Sequence, residues 1–454
     1  MVEASSRITT EAKALTAHTQ PGNYFVSNYP PFEKWCAKTN SVYLGKLDNS
    51  NQAHAPLGVY FHIPFCRKRC NFCYFKVYTD KDSGEIDRYI NALIKELKLY
   101  SEKASIQSRA IDFIYFGGGT PSYLSISQLQ LISEQSQKII SWDNAKEISF
   151  EAEPGTLNSE KLSALKRIGV TRLSLGVESF SDHVLTTSNR SHELKHILSS
   201  YAKARELGFA QINIDLIAGL QGETDASWDE SIKKTIELAP DSVTIYQLEV
   251  PFNTILYKEM QAAQSEDLQL HDWDTKAEWI RLAFQALVQA GYTLTSAYTA
   301  VKNPVTHQFL YRNALWHGAD LLALGVASFG HISGSLYQNE KEFSRYISMI
   351  EADLLPVHRT YELSREEAMI RQLVLQCKLG RVSSDYFATE FGVELESLFK
   401  VQLDTLKNQE FIKIEDRYIV VENKGLLKVD EWLKIFYLPQ HKTTNIQNNA
   451  TQSW

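Results

Sequence analysis

Three cysteines, Cys66, Cys70 and Cys73, fall at C-x3-C-x2-C spacing in FCRKRCNFCYF, directly after the β-branched and aromatic run GVYFHIP (58–64), which reads as a strand. A short loop gathers thiols at little closure cost, so this spacing suits a soft metal or an iron-sulfur cluster. The other two cysteines, Cys36 and Cys377, are far away in sequence, and no H-x3–5-H pair stands nearby. A tetrahedral zinc site built from four thiolates therefore has no evident completion, whereas a cluster held by three thiolates keeps one iron open. The bland alternative is three inert thiols packed as small hydrophobes. Arg67, Lys68 and Arg69 weigh against it, because neighbouring cations favour thiolates.

Further chemistry-bearing residues stand at the ends of apolar runs. Gly117, Gly118 and Gly119, followed by Thr120 and Pro121, close the run FIYF; glycines there let backbone N–H groups approach a ligand, although a tight turn explains them equally well. Glu151 in FEAEP, Glu178 in LGVESF and Asp215 in NIDLIAG are acids inside apolar runs, which is costly unless a ligand or an ion pair satisfies them. Arg190 offers a fork for a carboxylate or is a surface arginine. Gln247 ends the run SVTIYQ. His331, in GVASFGH, is a general acid or base or a structural hydrogen-bonder.

The elements that must position these groups follow from periodicity. Strands are expected at 58–64, 110–118, 147–154, 171–179, 211–220 and 242–250, separated by amphipathic helical segments such as IDRYINALIKELKLYSEK. Alternation of this kind implies a parallel sheet buried on both faces, hence an α/β fold with an open (β/α)6 barrel and chemistry at the carboxyl ends of its strands. The segmentation expected is an irregular N-terminal arm (1–55), the barrel (56–255), an extension of a long helix near 271–290 and added β segments lining the site (256–360), a small winged-helix-like domain (361–438) opened by the capping box Ser364–Glu367, and a disordered tail (439–454).

C-x3-C-x2-C after YFHIPF resembles the radical S-adenosylmethionine (SAM) superfamily, and the flanking words resemble its oxygen-independent coproporphyrinogen III oxidase (HemN) family. The resemblance implies a [4Fe-4S] cluster on Cys66, Cys70 and Cys73 whose open iron binds SAM, and cleavage of SAM to methionine and a 5′-deoxyadenosyl radical. It implies that Gly117 to Thr120 hold the methionine moiety and that Arg190 meets a SAM carboxylate. Tyr60, Glu151, Asp215 and Gln247 join the same pocket, with Tyr60 and His331 on the catalytic side and the GVASFGH word contributing to the cavity. Glu178 stands where family members usually carry Gln. One or two SAM molecules are expected, with reduced flavodoxin or ferredoxin as electron donor.

Coproporphyrinogen oxidases of the family carry C-x3-C-x2-C-x-C, whereas this chain has Cys73-Tyr74-Phe75. The expected reaction is therefore C-methylation or methylene transfer to an sp2 carbon of a flat apolar substrate such as a quinone, polyene or tetrapyrrole. Oxidative decarboxylation of coproporphyrinogen and a HemW-like haem chaperone, using His62 or His331 as axial ligand, are the alternatives. At 454 residues, 44% hydrophobic and net charge -7, the chain supplies more than one core and no global attraction to nucleic acid. It has no apolar run of about 18 residues, so a soluble, cytoplasmic monomer without stable membrane insertion is expected.

Overall fold

The computed structural model describes residues 25–49, 55–251, 253–262 and 270–442. Six strands, β1 (Leu57–Ile63), β2 (Phe113–Gly118), β3 (Glu147–Ala152), β4 (Arg172–Glu178), β5 (Gln211–Ala218) and β6 (Ser242–Gln247), pair in chain order and all in parallel. Each is followed by a helix whose apolar stripe covers the sheet, and local chemistry fixes where these helices start. Asp82 with Glu85 and Ser125 with Gln128 form reciprocal capping boxes, while Asn158 caps its helix from one side.

The sheet continues beyond those six. A hairpin, β7 (Thr293–Ser296) and β8 (Thr299–Val301), adds antiparallel to β6. On the other edge β9 (Asp320–Leu324) pairs in parallel with β1, and β10 (Phe329–Ile332), β11 (Ser335–Asn339) and β12 (Val357–Glu362) continue as an antiparallel meander. The outcome is a twelve-stranded open sheet running β12-β11-β10-β9-β1-β2-β3-β4-β5-β6-β8-β7. This is the partial barrel with added β segments. It contains a seventh parallel strand, β9, because the helix Leu310–Trp316 serves as its crossover. Glu147, at the start of β3, accepts the Leu310 and Tyr311 N–H groups at 2.8 and 3.2 Å and so ties that helix under the barrel floor.

The C-terminal unit has its own core and a small sheet, β13 (Arg381–Ser383), β15 (Tyr418–Val421) and β14 (Ile412–Glu415), a winged-helix-like arrangement opened by the Ser364–Glu367 capping box. Two expectations at the chain ends change. Residues 25–49 are irregular only in part, since they include the helix Asn40–Leu47; Val26 and Tyr29 pack into the C-terminal core, as the aromatic content of this arm suggests. The tail does not loosen at 439, since Pro439–His441 form a 3-10 turn with His441 buried on the Tyr29 hydroxyl at 2.7 Å. Residues 1–24 and 50–54 of the expected arm and 443–454 of the tail lie outside the described residues.

Three buried groups lock these ends over the barrel mouth. Lys378 donates to Asp430 and to the Val26 carbonyl, both at 2.7 Å, and Asp430 accepts the Val26 N–H at 2.8 Å and the Tyr298 hydroxyl. Phe25, next in the chain, gives its N–H to Glu249 at the end of the barrel strands. Among the described residues no helix is long and apolar enough to cross a membrane.

Candidate SAM and cluster site

The carboxyl ends of β1 to β6 open into one cavity of about 430 Å³. The loop after β1 forms one wall. Cys66 N–H bonds to the Tyr78 carbonyl, Asn71 N–H to the Ser188 carbonyl, and Asn189 holds the Arg69 carbonyl, so the cysteine segment is pinned at both flanks and in the middle. Cys66, Cys70 and Cys73 all line the cavity. Cys36 is exposed beside Thr360, and Cys377 is buried in the C-terminal core.

Two side chains reach the thiols. Thr120 Oγ1 donates to Cys66 Sγ at 3.2 Å, and Arg190 Nη1 to Cys70 Sγ at 3.3 Å. Burial pushes the Cys66 thiol up to about 11 and Cys73 to about 12, outweighing Arg190 and Arg69. Metal binding displaces thiol protons, so a cluster held here would bring the thiolate charge with it. Among the described residues no three His, Cys, Asp or Glu side chains are drawn into a closed metal-binding group. The three thiols instead share one wall of an accessible cavity, a donor set that fits a cluster left open on one side.

The glycine turn sits against this loop. A Cβ on Gly119 would stand 3.0 Å from Cys66 Sγ and from the Ile63 carbonyl, and Gly118, at φ +114°, would collide with the His62 ring. Gly118 N–H bonds to Glu151 Oε2 at 3.1 Å, and Tyr115 donates to Glu151 Oε1 at 2.5 Å. Burial lifts Glu151 to about 7 despite both bonds. Glu178 follows an irregularity in the β4–β5 register and has φ +64°, which re-aims its carboxylate toward Arg190 Nη2 at 3.5 Å. Burial lifts Glu178 to about 7 as well, against the pull of Arg190. Asp215 accepts from Ser174 and Asn213 at 2.7 and 2.9 Å, and burial raises it too.

Unmatched polar atoms lie among these groups. Arg190 Nε and Gln247 Oε1 are buried without partners, and both residues line the cavity. A donor and an acceptor left open beside three thiols fit a ligand carrying both carboxylate and hydroxyl or amine groups.

Of the residues singled out from the sequence, the three cysteines, Gly118, Gly119, Thr120, Glu151, Glu178, Arg190, Asp215 and Gln247 line the cavity. Gly117 is one residue behind the wall, in contact range of Glu151. Tyr60 sits in mid-strand, bonded to His62 Nδ1 at 3.0 Å and stacked with Tyr115. His331 is not brought to this cavity. It is buried on β10 against the Ala319 carbonyl, and burial together with Arg371 lowers it to about 4, so it stays neutral. The GVASFGH word likewise contributes nothing to the lining. Sequence reading missed Arg172, on the inward face of β4, and the buried pair Glu153–His192, in which burial is outweighed by His192 and Arg190 and Glu153 is held at about 2. A charged residue at i, i+2 spacing from Ser174, Gly176 and Glu178 was the available signal for Arg172.

The radical SAM superfamily model matches residues 60–235. The haem chaperone HemW of Bacillus subtilis is 30% identical over 377 residues, covering 82% of this chain and 97% of that protein. The oxygen-independent coproporphyrinogen III oxidase of Escherichia coli is 28% identical over 82% of this chain and 84% of its own length. A solved structure of coproporphyrinogen III oxidase (HemN) from Escherichia coli superposes with a TM-score of 0.77 at 23% identity, covering 91% of this chain and 96% of that one, a likeness of fold. The chain belongs to the radical SAM superfamily, in the family that contains HemN and HemW. The cofactors of that family are a [4Fe-4S] cluster and SAM.

Proposed function

We propose that the chain is a radical SAM enzyme acting on a flat, carboxylate-bearing tetrapyrrole, by oxidative chemistry of the coproporphyrinogen oxidase type. One observation carries this: a single cavity joins the three-thiol wall to aromatic walls and to cationic side chains. Phe25, Tyr74, Phe75, Tyr246, Tyr298 and Phe309 supply ring faces, and Arg67, Lys68, Arg69 and Arg172 supply positive charge. The similarity to HemN and HemW, both named for tetrapyrrole work, points the same way. In this reading Arg190 meets the SAM carboxylate, the Gly118–Gly119 backbone cradles the methionyl part, and Glu151, Glu178, Asp215 and Gln247 take the remaining hydroxyl and amine groups. Bound together, the cluster and SAM supply a 5′-deoxyadenosyl radical. The chain's own residues orient SAM, and Phe25 with Asp430 and the C-terminal unit shields it from water.

The two histidines considered as haem ligands, His62 and His331, are absent from the lining, which favours an enzyme over a haem carrier using this cavity. A second reading, carbon transfer to an sp2 centre, is favoured by one observation: Phe75, stacked on Tyr74 at 4.7 Å, occupies the position of the fourth cysteine of coproporphyrinogen oxidases. The test is anaerobic turnover of the reconstituted protein with reductant, SAM and coproporphyrinogen III. Deoxyadenosine and CO2 formed in step support decarboxylation. Label from methyl-labelled SAM in an extracted apolar product, with porphyrinogen untouched, supports carbon transfer. A stable Soret band on haem titration without SAM turnover supports the carrier.

A further inference from the structure

Arg172 is 2% exposed, yet its Nε and Nη1 have no hydrogen-bond partner. Among the described residues it makes no ion pair, and its close contact is the Phe309 ring, 3.9 Å from the guanidinium carbon. Guanidinium stays charged at any physiological pH, so an unpaired buried one is a standing cost unless a ligand answers it. The neighbouring acids are committed elsewhere. Glu147 holds Ser149 and the Leu310 and Tyr311 N–H groups, and Asp215 holds Ser174 and Asn213. Arg172 exerts its charge on Glu151 and Asp215 only from beyond ion-pair range.

Its position gives this charge a direction. Arg172 pairs in register with Ser149 and Gln211 near the amino ends of β4 and its neighbours, while Glu151 is level with Ser174 and Asp215 with Gly176. Arg172 is thus the deepest of these groups in the barrel, below the acids and farther than they are from the cysteine loop, and it still lines the cavity. Phe309 backs one face of the guanidinium, leaving the fork to point along its edge.

We propose that Arg172 is the seat of a carboxylate arm of the substrate, gripped by the guanidinium fork at the cavity floor while the body of the substrate lies alongside SAM. This deepens the tetrapyrrole reading and rests on it only for what bears the carboxylate. The seat fixes how far the substrate can sink, and therefore which carbon faces the SAM side of the cavity. Arg172 is a substrate-binding group distinct from Arg190, which lies beside the cysteine loop on Cys70, Gly176 and Glu178 and is assigned above to the SAM carboxylate.

The test uses reconstituted full-length protein and two probes. Sodium propionate, compared with sodium chloride at equal ionic strength, is expected to raise the melting temperature of the wild type. It should not raise that of Arg172→Met, and should raise that of Arg172→Lys less. In chloride, Arg172→Met is expected to be at least as stable as the wild type, because an unpaired buried charge has been replaced by an apolar chain of similar size. If that variant does not fold, Arg172→Lys decides alone: wild-type stability with a weakened propionate response supports the seat. Coproporphyrin III, followed by tryptophan quenching, should bind Arg172→Met roughly tenfold to a hundredfold more weakly. An equal propionate response in wild type and variants, no response in the wild type, or a lower SAM stoichiometry in Arg172→Met would each overturn the proposal. A propionate response that depends on Arg172, with no coproporphyrin binding, would leave the seat standing and remove the tetrapyrrole.

Discussion

Replacing Glu178 by Gln should change how the stability of the apo protein depends on pH. Burial holds this carboxyl at about 7 against an ordinary 4.5. Below about pH 4.5 the group is neutral in both folded and unfolded chains and contributes no pH dependence. Between 4.5 and 7 the unfolded chain releases its proton while the folded one keeps it, so stability falls as pH rises; above 7 both are ionised and the loss levels off. At 1.36 kcal/mol per pH unit that gap is roughly 3 kcal/mol. An unfolding entropy of about 2.1 cal/mol/K per residue gives about 1 kcal/mol/K for this chain, so the loss amounts to about 3 °C in melting temperature. Glutamine cannot titrate but still offers Arg190 an acceptor. Melting scans of both apo proteins at about pH 4.5 and pH 8 should therefore give nearly equal values at the acid end and a variant about 3 °C higher at pH 8. Parallel pH dependences, or a variant less stable at pH 8, would show that Glu178 is ionised in the folded protein and that Arg190 outweighs burial.

Anaerobic reconstitution should load about four irons, and Ala at Cys66, Cys70 or Cys73 should abolish deoxyadenosine formation while Cys36→Ala and Cys377→Ala retain it, read by iron content and chromatography. Arg190→Met removes a charge-assisted contact of about 1.5 to 3 kcal/mol and should weaken SAM roughly tenfold to a hundredfold by calorimetry. In the apo protein, iodoacetamide near pH 8 should modify exposed Cys36 well before Cys66 and Cys73, whose thiols burial keeps protonated, as peptide mass mapping would reveal. Lys378→Ala breaks a buried pair and leaves Asp430 charged with only the Val26 N–H and the Tyr298 hydroxyl as donors, a change of about 3 kcal/mol; limited proteolysis should then cut first near Val26.

What could be read from the chain alone differs by the range of the cause. β1 to β6 were legible because each strand is a near-continuous apolar run between helices, and the cysteine loop because its three thiols are close in sequence. The acids Glu151, Glu178 and Asp215 were legible for a related reason: a charge within an apolar run has few bland explanations. β9 was legible as one of the added β segments but not as a parallel strand, since its pairing with β1 joins residues more than 250 positions apart and no local pattern carries that register. His331 misled because a histidine in a glycine-rich word has the composition of a site, while only the sheet order turns it toward Ala319. Arg172 was passed over because an arginine at the start of a strand looks like a surface residue until β3 and β5 close around it.

The clamp formed by Lys378, Asp430 and the Val26 backbone carries a consequence for biosynthesis. Its parts are separated by about four hundred residues, so the seal over the barrel mouth cannot form until translation has passed Asp430. The cysteine loop and all six central strands have left the ribosome long before then. The nascent chain thus passes through a stage in which the barrel can assemble while its mouth is still uncapped and the wall of Cys66, Cys70 and Cys73 is open to solvent.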